Sequence, residues 1–408
     1  MSLGGQWIGR YQGTNQGTLV VDLDEVDDHF EAIACAWDDN FALPSSVVSF
    51  FTTSRSTTQR RENLPLSAVH PTGRVLTDAE LTDLGNRGIF FPGIATVDFR
   101  LSDTDELIVS WTTSIGGNCS ATLTRSKAAD NSTLQPLKIE TWREFKEYVS
   151  SLERNRFIYR GQPDSKWRLR SSFHRTGRAN LRTFESNDIF GLHKYLSPLT
   201  RNRFELKDPV QNLAFMNLVQ HHGYPTPLLD WTRSPYVGAF FAYRTVDVKK
   251  ISPDARVRIF KLDGPEWSKI NRVMTVLSPA PPSVAIMDAL PLENPRAIPQ
   301  QALCTVTSVD DIESHIENTA RRNGKQILEV IDLPTSARKE VLSDLSLMGI
   351  TAGALFPGID GACEASREQN FQFDVPILIA MDRGPCAPEP ADLCPSTHSY
   401  GEQGPGGT

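Results

Sequence analysis

The sequence lacks the features that mark a membrane, exported or metal-stabilised protein. No run of about 18 consecutive apolar residues occurs, so no transmembrane helix is predicted. The N-terminal "MSLGGQWIGR" has neither the basic start nor the apolar middle of a signal peptide. The six cysteines form no Cys-x-x-Cys pair with histidines at ligand spacing, which argues against structural zinc. We therefore expect a cytoplasmic protein that does not contact a membrane and holds no metal.

Length and composition indicate more than one domain. The chain has 408 residues, whereas single hydrophobic cores rarely grow past about 250 to 300 residues. Residues 128–137, "AADNSTLQPL", form a polar linker that ends near a proline. We predict one domain at 1–130 and a second at 138–382. Residues 383–408 are rich in Pro, Gly and Ser and are predicted to be a disordered tail.

The first domain shows the alternation of antiparallel strands. "GTLVVDL" places Leu19, Val21 and Leu23 on one face, and similar short segments follow, separated by turn formers and without an amphipathic helix pattern. A meander of seven or eight strands loses its edges by closing into a barrel, which we favour over a sandwich. The opening "WIGRYQGTNQG" resembles the first strand and turn of lipocalin- and avidin-type barrels. Such a barrel binds a small ligand or a partner protein, or encloses only its own side chains.

The second domain mixes helix and strand signals. Thr141 to Glu144 reads as a capping box that opens a helix, and "RFIYRG" reads as a short strand. Ser234 followed by Pro235 predicts a helix start. "RVRIFKL", "SVAIMDAL", "AGALF" and "VPILIAM" have strand character. The fold class is therefore α+β: an antiparallel barrel followed by an α+β domain.

A basic segment suggests an anion site. Residues 154–182 contain nine Arg or Lys and a single acid, Asp164. Arg160 ends a predicted strand beside Gly161, where the missing side chain would let a ligand approach, and a guanidinium fork suits two phosphate oxygens. A structural ion pair for Arg160 and a solvated basic surface are the alternatives. Aromatic residues among these arginines also suit single-stranded nucleic acid, although the net charge of −7 disfavours it.

A second segment, "QHHGYPTPLLDWTRSPYVGAFFAY", combines polar groups with stiff prolines. The adjacent His221 and His222 would point in different directions on a helix, which argues against a joint metal site. Asp230 suits a hydrogen bond to a ribose or a role as general base, and equally an N-cap or an arginine partner.

Five blocks in order resemble the FRG-domain family of bacterial and phage proteins, named for an aromatic-Arg-Gly motif. They are "FIYRGQ", "WRLRSSFHR", "HHGYPTPLLDWTRSPYVGAFFA", "NPRAIPQQALCT" and "GITAGALFPGIDG". The resemblance covers about Arg156 to Gly361 and implies a fold and motif order similar to those of ADP-ribosyltransferases. The late motif departs from the family, with Ala302 in place of a glycine and Cys304 in place of an aromatic residue.

The resemblance implies an NAD site and its residues. Arg160 would hold the dinucleotide phosphates with Gly161, Gln162 and His222 nearby, and Tyr159 or Trp231 would stack on a ring. Gln300 would contact the nicotinamide ribose. Because cleavage of the glycosidic bond develops positive charge, a carboxylate from Asp230 or Glu293 would stabilise the transition state better than an amide.

We therefore expect a nucleotide-binding protein, with NAD as the cofactor and ADP-ribosyl transfer to a protein or nucleic acid as the reaction. A role as a bacterial toxin or phage-defence effector fits this activity. The alternatives are a non-catalytic module that binds a nucleotide or a protein, and a nucleic-acid-binding protein whose affinity would fall steeply with salt.

Overall fold

The computed structural model describes residues 2–368, except 248, 250 and 272–276, and also residue 370. The predicted tail at 383–408 and the predicted strand "VPILIAM" lie outside the described residues. No described helix has the length and apolar character needed to cross a membrane.

The N-terminal region is an antiparallel sheet of nine strands that curls into a nearly closed barrel. The sheet order is β5-β7-β8-β9-β1-β2-β3-β4-β6. The strands are β1 Gly5–Gly13, β2 Gly17–Val26, β3 His29–Asp38, β4 Ser45–Phe51, β5 Thr58–Pro65, β6 Ser67–Val69, β7 Ile94–Leu101, β8 Glu106–Thr113 and β9 Asn118–Arg125. The pairing of β1 with both β2 and β9 brings the two ends of the meander together, which confirms the predicted barrel class.

One helix interrupts the strands, which the sequence analysis did not detect because it found no amphipathic helix pattern here. Helix α1, Asp78–Asn86, lies between β6 and β7. It begins with a capping box in which Thr77 and Glu80 exchange hydrogen bonds. This signal was present in the sequence, but the helix buries only Leu84 and so shows little hydrophobic periodicity.

The second region contains a six-stranded antiparallel sheet with helices, as the predicted α+β class requires. Its order is β13-β14-β11-β10-β12-β15. The strands are β10 Phe157–Gln162, β11 Leu228–Thr232, β12 Arg256–Asp263, β13 Val284–Met287, β14 Ala302–Thr307 and β15 Leu328–Pro334. The helices are α2 Trp142–Ser151, α3 Ser172–Arg175, α4 Leu181–Thr183, α5 Phe190–Leu196, α6 Pro209–His221, α7 Pro235–Arg244, α8 Gly264–Ile270, α9 Ile312–Arg322, α10 Arg338–Leu347, α11 Ala352–Leu355 and α12 Ile359–Arg367.

The helix starts follow the sequence signals. Thr141 and Glu144 form the predicted capping box of α2, and Ser234 caps α7 ahead of Pro235. The predicted strand at "AGALF" was wrong: residues Ala352–Leu355 form α11, capped by the Thr351 hydroxyl. A short apolar run fits either structure, and here the cap selected the helix.

Buried polar contacts join the barrel to the second region. The Gln6 amide donates to the Ser308 carbonyl at 2.9 Å and accepts from the Asp310 amide at 2.8 Å. The Asp24 carboxylate, 4% exposed, accepts from the Arg178 side chain at 2.8 Å and from the backbone of Ala179 at 2.6 Å. Met1–Ala365 accordingly groups as one compact unit, in which the two predicted domains pack closely.

Candidate functional site

The Arg160 guanidinium lies between two central strands of the second sheet. Strand β10 pairs along its whole length with β12, but with β11 at Tyr159 and Thr232 only, as far as the described residues show. Beside this pair, Arg160 Nη1 donates to the Asp230 carbonyl at 2.5 Å. The arginine therefore occupies the place where further backbone pairing between β10 and β11 would stand.

Within the described part of the chain, Arg160 is not neutralised by a carboxylate. No ion pair within 4 Å links it to any acid of the described residues, and its buried Nε has no hydrogen-bond partner there. Burial lowers the pKa of Arg160 to about 10, with Arg175 acting in the same direction and Asp230 opposing it. A partly buried cation without a counter-charge among the described residues is a candidate ligand for an anion.

Two further arginines add to the positive field. Partial burial, and then the charge of Arg170, lowers the pKa of Arg175. Arg170 itself pairs with Asp310 through a two-point contact of 2.5 and 3.0 Å. Arg175 is the cation that the sequence analysis did not single out, although it lies within the quoted block "WRLRSSFHR".

Two buried polar side chains in this region lack partners. Gln162, 2% exposed, has no hydrogen bond at either amide atom within the described chain, and strand alternation places it on the same side of β10 as Arg160. His174 is fully buried and contacts the Ser171 hydroxyl through Nδ1 at 2.7 Å, while its Nε2 has no described partner. Such groups are uncommon in folded proteins and point to a functional contact. His174 was not predicted.

Asp230 is the carboxylate held nearest to Arg160. Its side chain is exposed and accepts from the Gln220 amide at 2.6 Å. Gln220, at the end of α6, is in turn fixed by a hydrogen bond from the Thr226 hydroxyl. Gln220 was missed because a single glutamine at the end of a helix carries no spacing signal.

Gly161 has a packing role that differs from the predicted one. A Cβ at this position would clash with the Gly238 carbonyl and lie 2.5 Å from the Ala242 nitrogen. Both atoms belong to the backbone of α7, which approaches β10 more closely than any side chain would allow. The open space expected for a ligand is therefore filled by the helix.

Tyr159 and Trp231 are enclosed in the core, which corrects the prediction that they stack on a ligand. Tyr159 is 4% exposed and packs toward Gly238 of α7. Trp231 is 3% exposed and donates to the Thr305 hydroxyl at 3.2 Å. Both rings already have protein neighbours, so neither presents a free face.

The other predicted site residues are held by contacts of their own. The buried Gln300 amide donates to the Leu355 carbonyl at 2.9 Å, and the Gln300 carbonyl accepts from Thr232 beside the β10–β11 pair. Glu293 accepts from the Asn202 backbone and side chain at 2.6 and 3.0 Å, and these bonds, the backbone one first, lower its pKa. His222 is exposed and follows α6 as its C-cap. Of the three predicted catalytic residues, Asp230 alone contacts Arg160 in the described contacts, and it does so through its backbone carbonyl.

Much of the basic segment is structural. Arg156 pairs with Asp263 and Glu153, Arg168 with Asp311 and Glu313, and Arg178 with Asp24 and Asp188. Cations that lie together in one basic segment of the sequence are therefore paired with acids, several of which lie far away in the chain. Arg160 and Arg175 lack such ion pairs among the described residues.

Comparisons with known proteins cover the two regions unequally. No curated protein matches the chain. A solved structure described as a redesigned beta barrel is similar at 14% identity and a TM-score of 0.20, over 31% of this chain and 92% of that chain. The family model described as the FRG domain matches residues 155–250, which run from the start of β10 to just beyond α7. An FRG domain is therefore present in this chain.

Proposed function

We propose that the FRG domain binds a nucleotide, with NAD as the first candidate, through the Arg160 guanidinium. The observation that carries this proposal is a partly buried arginine whose Nε is buried without a hydrogen-bond partner and which has no carboxylate partner in the described residues. A phosphate would supply the missing negative charge and accept two parallel hydrogen bonds from the guanidinium fork. Arg175 lies close enough to add a second positive charge.

The neighbouring polar groups favour a nucleotide over a bare anion. Gln162 offers a buried amide without a described partner on the side of β10 that carries Arg160. The exposed Asp230 carboxylate accepts hydrogen bonds of the kind that a ribose hydroxyl donates. A phosphate ligand thus meets a cation, and an attached sugar meets hydrogen-bond partners, within one short stretch of β10 and β11.

ADP-ribosyl transfer is the second candidate function, favoured by the position of Asp230. In that reaction the bond between ribose C1′ and the nicotinamide nitrogen breaks, and nicotinamide leaves with the bonding electrons. A nucleophile on a macromolecular acceptor then bonds to C1′ and gives its proton to a base. A carboxylate beside C1′ stabilises the positive charge that develops, and Asp230 carries a carboxylate on the residue whose backbone carbonyl accepts from Arg160.

Nucleic-acid binding receives less support. That alternative requires a run of solvated cations along a backbone, whereas Arg156, Arg168, Arg170 and Arg178 are paired with acids. A non-catalytic nucleotide-binding module uses the same contacts as the enzyme and differs only in turnover.

Binding is tested by calorimetric titration of the full chain with NAD, ADP-ribose and ADP. We expect Arg160→Lys to weaken NAD binding by about tenfold or more, because a lysine cannot form the two-point contact. Arg156→Lys is the matched control, since Arg156 is paired with Asp263 and should not affect the titration. Equal affinities for Arg160→Lys and the unmodified chain, or no binding of any of the three nucleotides, would overturn the proposal.

Turnover is tested separately by incubating the chain with NAD labelled in the adenine ring and with cell lysate. Transfer predicts labelled macromolecules and free nicotinamide, both lost in Asp230→Asn while NAD still binds. Binding without either product identifies a non-catalytic module.

A further inference from the structure

We propose that the barrel interior is a second binding site, for a neutral and largely apolar small molecule whose hydrogen-bonding end lies at the mouth beside Asn15 and Asp38. The barrel encloses a cavity of about 360 Å³, within the size range of small-molecule pockets. This site is distinct from Arg160, and its ligand does not depend on what the FRG domain binds.

One end of the barrel is closed by packed side chains. Leu3 and Trp7 are fully buried, and the Trp7 indole donates to the Leu3 carbonyl at 2.8 Å. The Arg125 guanidinium lies 4.2 Å from the centre of the Trp7 ring and pairs with Asp105. The cavity therefore has a floor, and we expect a ligand to enter from the opposite end.

The cavity exists because small residues face inward where other barrels fill the space. Ala34 and Ala36 on β3, Ala95 on β7 and Cys119 on β9 line it together with aliphatic side chains. Small side chains on several strands at one level leave a volume that no neighbour fills. An empty apolar cavity is costly, and an apolar ligand would regain the lost contacts.

The mouth is apolar as well as open. Phe90 and Ile115 line the entrance and are 71% and 57% exposed, and Phe91, Leu43 and Leu66 lie around it. Large exposed side chains of this type, continuous with an apolar interior, are a feature of binding sites rather than of ordinary surface. The rim extends the apolar contact beyond the barrel itself.

The polar residues of the lining define the ligand class. Near the mouth, the Asp38 carboxylate accepts from the Asn15 amide at 2.9 Å and from the Tyr11 hydroxyl at 3.3 Å. Burial raises the pKa of Tyr11, which keeps its hydroxyl protonated. No Lys, Arg or His lines the cavity, so a carboxylate head group would meet Asp38 without a balancing cation. A neutral donor such as an alcohol avoids this repulsion and can bond to Asp38.

The test uses N-phenyl-1-naphthylamine, a neutral dye that fluoresces in apolar sites, with the full chain. We expect the dye to bind and to quench Trp111, which lines the cavity. Dodecanol should displace it at a concentration about tenfold lower than dodecanoate, a preference of about 1.4 kcal/mol. Ala34→Leu combined with Ala36→Leu should abolish dye binding by filling the cavity.

Ser110→Leu is the matched control, because Ser110 is exposed on β8 and the added volume stays outside the barrel. Circular dichroism and thermal unfolding establish that each variant is folded. Should the double variant fail to fold, loss of the dye-dependent quenching in Trp111→Phe reports the same site. The proposal is overturned by absence of dye binding, by equal dye binding in the filled variant, or by dodecanoate competing as well as dodecanol.

Discussion

The barrel interior and the contact between β10 and α7 use small residues for opposite purposes. In β3, Ala34 and Ala36 face a cavity, so their small size leaves space. In β10, Gly161 faces the backbone of α7, so its small size removes a clash. A small residue in a strand therefore says nothing by itself about ligand access, since access depends on what the fold places opposite.

The two regions also differ in charge. No cationic side chain of the described residues lines the barrel cavity. In the FRG domain, Arg160, Arg170 and Arg175 influence one another electrostatically, and Arg170 is paired with Asp310. Each region thus suits a ligand that the other would reject. Four predictions test how separate and how differently packed the two regions are.

The largest effect is expected where the regions meet. Asp24→Ala should lower the free energy of unfolding by about 3 to 5 kcal/mol, because it leaves two buried backbone donors without their acceptor and removes one of the two acids paired with Arg178. Urea unfolding followed by tryptophan fluorescence measures this loss. Asp39→Ala, which removes an exposed pair with Arg10, should cost less than about 1 kcal/mol. Similar losses in the free energy of unfolding for Asp24→Ala and Asp39→Ala would contradict a stabilising role for the buried contact between the regions.

Acid should destabilise the FRG domain through His174. Burial lowers the pKa of His174 from 6.5 to about 4, so folding favours the neutral imidazole. The stabilisation is complete above pH 6.5 and is lost as pH falls toward 4, by up to about 3 kcal/mol. Unfolding free energies measured from pH 7 to pH 4 should fall less steeply in His174→Gln. Parallel curves for the two proteins would contradict a buried neutral histidine.

Gly161→Ala tests the tight contact. The added methyl group would force α7 away from β10 and should cost about 2 kcal/mol, typical of overpacking against a rigid neighbour. Gly191→Ala is the control, since that glycine lies in α5 with no atom near its virtual Cβ and should gain up to about 1 kcal/mol. Chemical denaturation of both variants provides the comparison. An unchanged free energy of unfolding in Gly161→Ala would show that α7 moves away from β10 at little cost.

The smallest effect is expected inside the barrel. Ala34→Leu should change the unfolding free energy by less than about 1 kcal/mol, because the added atoms enter existing space. The same denaturation experiment measures it. A loss of unfolding free energy as large as that of Gly161→Ala would show that the barrel interior is packed as tightly as the contact between β10 and α7.

Much of the fold was predictable because it is local. Alternating residues in β1 to β3 predicted the strands, and Thr141 and Ser234 predicted the starts of α2 and α7. The polar strand β5 and the helix α1 were missed, because an exposed edge strand and a shallow helix carry weak periodicity. For the candidate site, the sequence named Arg160 and Gln162, which carry buried polar atoms without partners in the described chain, and it also named Tyr159 and Trp231, which are core residues. That these residues hold a ligand stays a prediction.

The sequence alone indicated most strands and helices, the barrel class and the FRG motif, because these leave their signal in neighbouring residues and their periodicity. Tertiary structure alone decided which arginines remain without a counter-charge among the described residues, since the acids that pair with Arg168 and Arg170, and one of the two that pair with Arg178, lie more than a hundred residues away in the chain. It also decided that alanines in β3 leave a cavity whereas Gly161 leaves none. Electrostatic pairing and packing act through space, and short-range sequence patterns do not record which distant residue will stand opposite.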